Sequence, residues 1–167
     1  MSTRDGDTVV IRLAKQNMKF SAAHFTIFSA TERERLHGHN FTVEVDIDAR
    51  MLGNGMCFDY GIYKDRVVAL CRELNEWTIL PTRSPYLRIE EGDGHVYAHF
   101  DGQRIPFLRG DVLLLPIENA TLEEFAYWFL QRLCEDREAL RAHAIAAIEV
   151  RVFSGPGQSA GRRMELD

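Results

Sequence analysis

From Phe41 to Asp48 the chain alternates strictly: Phe41, Val43, Val45 and Ile47 are apolar, and Thr42, Glu44, Asp46 and Asp48 are polar. A period of two puts one set on each face of a β-strand, so this stretch predicts a strand with one buried face. Strand character reaches back to His37 and on to about Ala49. Residues 8–15 and 17–25 also read as strands. Residues 145–153 read as a last strand, which Ser154-Gly155-Pro156-Gly157 ends. Two stretches change period. After a turn at Gly53-Asn54-Gly55, Val67, Leu70, Cys71 and Leu74 recur at three- and four-residue spacing. This predicts a helix to about Leu74, with Asp59 placed to cap it. Leu122, Phe125, Ala126, Phe129, Leu130 and Leu133 predict a second helix, with Thr121 as N-cap and Glu123 and Glu124 favourable in the first turn.

Between the helices the pattern breaks. Tyr86–Ile89 and Val96–Phe100 read as short strands, with turns at 91–94 and at Asp101-Gly102. This is a β insertion at about 82–116, too short to bury a core of its own. Two helices on one face of an antiparallel sheet is an α+β arrangement, and 167 residues suit one domain spanning 1–167.

Composition adds limits. The chain is 46% hydrophobic and 27% charged with a net charge of −5, which argues against a broad nucleic-acid surface. No apolar run is long enough to span a bilayer and no signal-peptide pattern is present, so no membrane partner and a cytoplasmic location are expected by default. Cys57, Cys71 and Cys134 match no zinc-knuckle or redox spacing and read as buried thiols, with Cys57, beside the glycine turn, the more accessible.

The candidate chemistry lies in three histidines. His37 and His39 share the parity of the apolar set at 41–47, and His24 shares that of Met18, Phe20 and Ala22. If the two strands pair, three imidazoles converge at one end of a buried face. Three neutral imidazoles are a common ligand set for a catalytic zinc, at about 2.0–2.1 Å, with a fourth position left open. A lone histidine on an apolar face is more often a core residue with a satisfied hydrogen bond.

Phe20-Ser21-Ala22-Ala23-His24 and His37-Gly38-His39-Asn40 resemble the zinc signature of the 6-pyruvoyl-tetrahydropterin synthase / 6-carboxytetrahydropterin synthase family. Gly55–Tyr60 through Lys64 is similar to that family's G-M-x-x-D-[FY]-x-x-x-K segment. Ala120–Ala126 is similar to its P-T-x-E-N-x-A segment, and Val150–Phe153 to its final strand. The resemblance implies the tunnelling fold: a four-stranded antiparallel sheet with two helices on one side, trimers or hexamers, and active sites between subunits. It implies Zn2+ held by His24, His37 and His39, and a lyase acting on dihydroneopterin triphosphate or a related pterin.

The chain departs from the family pattern at three places. Arg33 stands where the family's catalytic cysteine lies, but Glu34 creates E-x-x-H-G-H, which resembles a variant of the family with glutamate as general base. Glu32-Arg33-Glu34-Arg35 also reads simply as an alternating-charge surface loop. Asn75 and Glu76 fall where an Asp-His pair belongs, leaving Glu76 as the candidate second proton carrier and His95 or His99 as remote substitutes. Ser154 takes the place of the glutamate that anchors the pterin ring, so Glu123, Thr121 and Ser154 are the substrate-binding candidates. Two further readings stay open: a zinc-containing homologue that binds a pterin- or purine-like ligand without synthase activity, and a structural zinc in a scaffold.

Overall fold

The computed structural model describes residues 6–166; the ends of the expected 1–167 span, residues 1–5 and 167, lie outside the described residues. In chain order the strands and helices are β1 (Thr8–Leu13), β2 (Lys19–His24), β3 (His37–Arg50), α1 (Gly61–Leu74), β4 (Trp77–Pro81), β5 (Arg88–Gly92), β6 (His95–Phe100), β7 (Gln103–Leu108), β8 (Val112–Leu115), α2 (Leu122–Leu133), α3 (Arg137–Ala142), β9 (Ile145–Gly155) and β10 (Gln158–Glu165).

The main sheet runs β10-β9-β3-β2-β4-β8, with β1 also paired to β3. β1 and β2 lie end to end along one side of β3: Leu13 is opposite Val45 and Lys19 opposite Thr42. They act as one long strand interrupted at residues 14–18, where the Val43 N–H still reaches the Met18 carbonyl at 2.9 Å. Counted so, β1/β2, β3, β9 and β10 are the antiparallel four-stranded sheet of the tunnelling fold. β10 is a full strand beyond the glycine turn, so Gly155-Pro156-Gly157 turns a hairpin rather than ending the sheet. β4 and β8 extend the sheet to seven strands in parallel pairing, so it is mixed rather than antiparallel throughout. β8 is apolar throughout and β4 is so but for Thr78, so neither carries an alternation to read.

The odd positions of β3 from Phe41 to Ala49 are all buried, and together with the apolar faces of α1 and α2 they form one core cluster. Phe20 is its centre: it stacks on Phe41 at 4.9 Å and meets Phe125 edge-on at 5.7 Å. The opposite sheet face carries cross-strand ion pairs, Arg12 with Asp46 and Arg163 with Asp48, each at 2.7 Å.

Thr121 caps α2 as expected, its side chain accepting from the Glu124 N–H. Asp59 does not cap α1 in the expected place: the N-cap is Tyr60, and Asp59 accepts from the Gly61 N–H at 2.9 Å one residue earlier. All three cysteines are buried, Cys57 included, because the Met51–Cys57 turn folds it against the end of β3. The insertion is a three-stranded sheet, β5-β6-β7. It has no core of its own: Leu87, Val96, Ala98 and Phe100 pack with Phe25, Ile27, Leu80 and Val112 of the main body.

Candidate metal centre and adjoining pocket

The pairing of β2 with β3 sets His24 directly opposite His37, and Ala22 opposite His39. His37 and His39 leave the strand on the same face, so the three rings meet: centroids lie 4.7 Å apart for His24 and His37, 5.3 Å for His24 and His39, and 4.8 Å for His37 and His39. One ring nitrogen from each lies within 4.8 Å of the others. Phe41 forms the floor, its ring 5.5 Å from that of His24.

Backbone carbonyls set the tautomers. A carbonyl can only accept, so the contact of His24 Nδ1 with the Ala120 oxygen at 2.7 Å puts the proton on Nδ1. The same holds for His37 Nδ1 and the Arg35 oxygen at 2.7 Å. In the neutral rings both Nε2 atoms then carry lone pairs. His24 Nε2 is fully buried and is the one such side-chain atom without a hydrogen-bond partner among the described residues. Burial lowers the tendency of His24 to protonate, more than the bond to Ala120 raises it, and its two neighbouring imidazoles lower it further. His37 Nε2 and His39 Nε2 face each other at 3.0 Å. Three convergent imidazole nitrogens, with an outer carbonyl orienting two of the rings, fit a divalent metal such as zinc.

Glu34 stands beside this triad. A compact hairpin turn carries it: Phe28 N–H reaches the Glu32 carbonyl at 2.9 Å, and the Ser29 hydroxyl accepts from the Thr31 and Glu32 N–H groups. Glu34 N–H then donates to the Thr26 carbonyl at 2.8 Å, while Glu34 Oε2 accepts from the Thr26 N–H at 2.9 Å. That oxygen is 3.9 Å from His37 Nε2. Burial pushes the Glu34 carboxyl up, but the Thr26 hydrogen bonds and the nearby imidazoles outweigh it, and the net direction is down. Arg33 points away, over the Phe25 ring at 4.9 Å and the Phe100 ring at 5.7 Å, so the insertion buttresses the back of this turn.

A cavity of about 300 Å³ opens on the triad. Of the residues expected from the sequence, His24, His37, His39, Glu34, Thr121, Glu123 and Ser154 all line it. Glu76 does not. It lies at a second cavity of about 490 Å³, which His39 also borders, with Ser21, Asn40, Trp77 and Asp111; its backbone there has a φ of 66° and its N–H bonds the Ser21 carbonyl at 2.7 Å. His95 and His99 sit on the insertion, bonded to the Asp93 carbonyl and to Glu90. Thr26, Gln158 and Ser159 line the triad cavity without having been singled out from the sequence. The Gly155-Pro156-Gly157 turn before Gln158 is a hairpin signal in the sequence that points to Gln158 and Ser159.

A histidine triad that could hold a metal ion lies beside a carboxylate at the end of a tunnelling-fold sheet, the arrangement expected of the pterin synthase class. Comparison with known proteins agrees: the 6-pyruvoyl tetrahydropterin synthase family model matches residues 13–165, and the chain belongs to that family. It is 30% identical over 151 residues to a Methanocaldococcus jannaschii protein provisionally named a 6-carboxy-5,6,7,8-tetrahydropterin synthase, covering 90% of this chain and 92% of that one. A Pyrococcus abyssi protein with the same provisional name is 27% identical over 139 residues, covering 83% and 81%. The crystal structure of 6-pyruvoyl tetrahydropterin synthase from Plasmodium vivax superposes with a TM-score of 0.89 at 28% identity, covering 95% of this chain and 99% of that one. The P. vivax protein has also been solved with a glutamate, named as a catalytic residue, changed to alanine and to cysteine.

Proposed function

We propose that this protein is a zinc-dependent lyase acting on dihydroneopterin triphosphate or a closely related pterin, with Glu34 as its general base. One observation carries the reading: a buried, unpartnered His24 Nε2 converges with two further imidazole nitrogens beside a carboxylate that a backbone N–H holds in place. His24, His37 and His39 would hold the zinc. Bound there, zinc would serve as a Lewis acid that polarises the hydroxyls of the pterin side chain and makes the adjoining carbon more acidic.

The chain's own groups supply the rest. The Thr26 N–H donates to Glu34 Oε2 and so fixes the direction of the carboxylate that would receive the proton. Held below the ordinary carboxyl value of 4.5, Glu34 is ionised at neutral pH, the form a base requires, as an unshifted glutamate would also be. Glu123, in the first turn of α2, offers a carboxylate that can accept two parallel N–H bonds from the pterin's amino-pyrimidinone edge. Thr121 and Ser154 add single hydrogen bonds at the same cavity. Glu76 serves the site of a neighbouring copy, since within one chain it lines a different cavity; the working unit is a homo-oligomer, a trimer or a hexamer. The glutamate named as catalytic in the P. vivax relative supports the role given to Glu34.

Mass-spectrometric product analysis of zinc-loaded protein with dihydroneopterin triphosphate tests this, run beside Glu34→Gln. The parent yields a new pterin, whose mass separates triphosphate elimination from side-chain cleavage, and the variant loses at least about 10²-fold in rate. Unchanged substrate with the parent protein sinks the lyase reading. Ser154, in place of a ring-anchoring carboxylate, then favours a homologue that binds a pterin- or purine-like ligand without turning it over, seen as ligand-induced stabilisation.

A further inference from the structure

The segment that joins the metal site to the base is only four residues long, His24 to Ile27. Both of its ends are fixed by one dipeptide, Asn119-Ala120, just ahead of α2. At one end the Ala120 carbonyl accepts from His24 Nδ1 at 2.7 Å. At the other, the Asn119 side chain grips Ile27 twice: Oδ1 accepts the Ile27 N–H at 3.0 Å, and Nδ2 donates to the Ile27 carbonyl at 2.8 Å. The same Oδ1 also accepts the Ala120 N–H at 3.0 Å, which ties the amide to the residue whose carbonyl orients His24. Between the two ends sits Thr26, whose N–H and carbonyl both bond Glu34.

We propose that Asn119 is the positioning residue of the site, setting the His24 imidazole and the Glu34 carboxylate together. β2 ends at His24, and among the described residues the next ones have no neighbouring strand to fix them beyond a single bridge from Ile27 to Arg33. The amide of Asn119 replaces that neighbour by exchanging both an N–H and a carbonyl bond with one residue, as a paired strand would. Its orientation is forced: a flipped amide would set its NH2 against two N–H donors. No other side-chain type at this position offers an acceptor for two N–H groups and a donor for a carbonyl at the same reach. Asn119→Ala leaves the Ile27 N–H, the Ile27 carbonyl and the Ala120 N–H without these partners. Asn119→Asp keeps the acceptor and sets a second oxygen against the Ile27 carbonyl.

The inference rests on the metal reading above, and its test separates the two. Cobalt(II) is titrated into the metal-free parent, Asn119→Ala, Asn119→Asp and Leu140→Ala, the last a buried residue of α3 away from the site. The visible bands of cobalt report ligand geometry without any turnover. Asn119→Ala is expected to bind cobalt about ten-fold more weakly, in line with the loss of groups that orient metal ligands, and to show shifted bands. Asn119→Asp should fall between it and the parent. Leu140→Ala should lower thermal stability and leave affinity and bands unchanged, which separates positioning from loss of stability. Where the parent turns over a pterin, kcat falls in the Asn119 variants with KM little changed. Should Asn119→Ala not fold, the near-isosteric Asn119→Asp decides. Parent-like affinity and bands in the folded Asn119 variants overturn the proposal. A parent that binds no cobalt removes the metal reading and this inference with it. A parent that binds cobalt but forms no product removes only the reaction, and the spectra still decide for Asn119.

Discussion

Single groups in this protein owe their character to one or two neighbours. Asp46 is the clearest case outside the site. The Arg12 guanidinium, bonded to both of its oxygens from the facing strand, holds its carboxyl below the ordinary value of 3.8, outweighing the opposing effect of burial. The folded chain therefore binds this proton less readily than the unfolded chain. The stabilisation is fully present above the unfolded value and is lost as pH falls through the lower folded one. Thermal melts between about pH 5 and pH 2 should show a shallower decline in Asp46→Asn than in the parent; parallel curves would show that the pair adds nothing. The thiols make a second case. Burial pushes Cys71 up to about 12 and raises Cys134 as well, so neither presents a thiolate at neutral pH. A thiol reagent at pH 8 should leave the folded protein unlabelled at both, and label them once it is unfolded.

At the scale of elements, α2 joins the core to the site. Its apolar face buries Phe125, Phe129 and Leu133, while its first turn delivers Thr121 and Glu123 to the cavity. Phe129 is fully buried and packs 5.9 Å from Phe20. Phe129→Ala should cost about 3–5 kcal/mol in denaturant unfolding, because the close-packed ring cluster cannot collapse into the space left. The insertion acts on a different element. Phe100 lies beneath Arg33, on the back of the turn that presents Glu34. Phe100→Ala should speed amide exchange through residues 27–35 while leaving that of β9 unchanged; equal rates in both proteins would show that the turn holds itself. These roles were only partly legible. The helical periods of α1 and α2 and the alternation of β3 could be read directly, since each element has one wet and one dry face. β4 and β8 could not, because strands apolar on both faces carry no period. β10 was hidden because six of its eight residues are exposed, and no apolar alternation marks it.

At the scale of the whole molecule, the main sheet leaves strand edges open. β10 forms one end of the main sheet, and among the described residues β1, on the far side of β3, has no further strand beside it. Open strand edges of this kind are templates for further pairing. Sedimentation should find a homo-oligomer of three or six chains, and a monomer at micromolar concentration would exclude the shared site assigned to Glu76. Among the described residues, no helix is long and apolar enough to cross a membrane.

Sequence alone determined the family, the parity that turns three histidines to one face, and the amphipathic faces that build the core. Each of these is a local or periodic property, set by residue type and spacing along one strand or helix. Tertiary structure decided the rest. Only the register of β2 on β3 sets His24 against His37. Only the folded loop shows Thr26 holding Glu34, and Asn119 reaching back 92 residues to Ile27. Glu76, plausible by position in the sequence, proves to face another cavity of the same chain. Such contacts depend on which segments lie side by side in space, and no period along the chain encodes that.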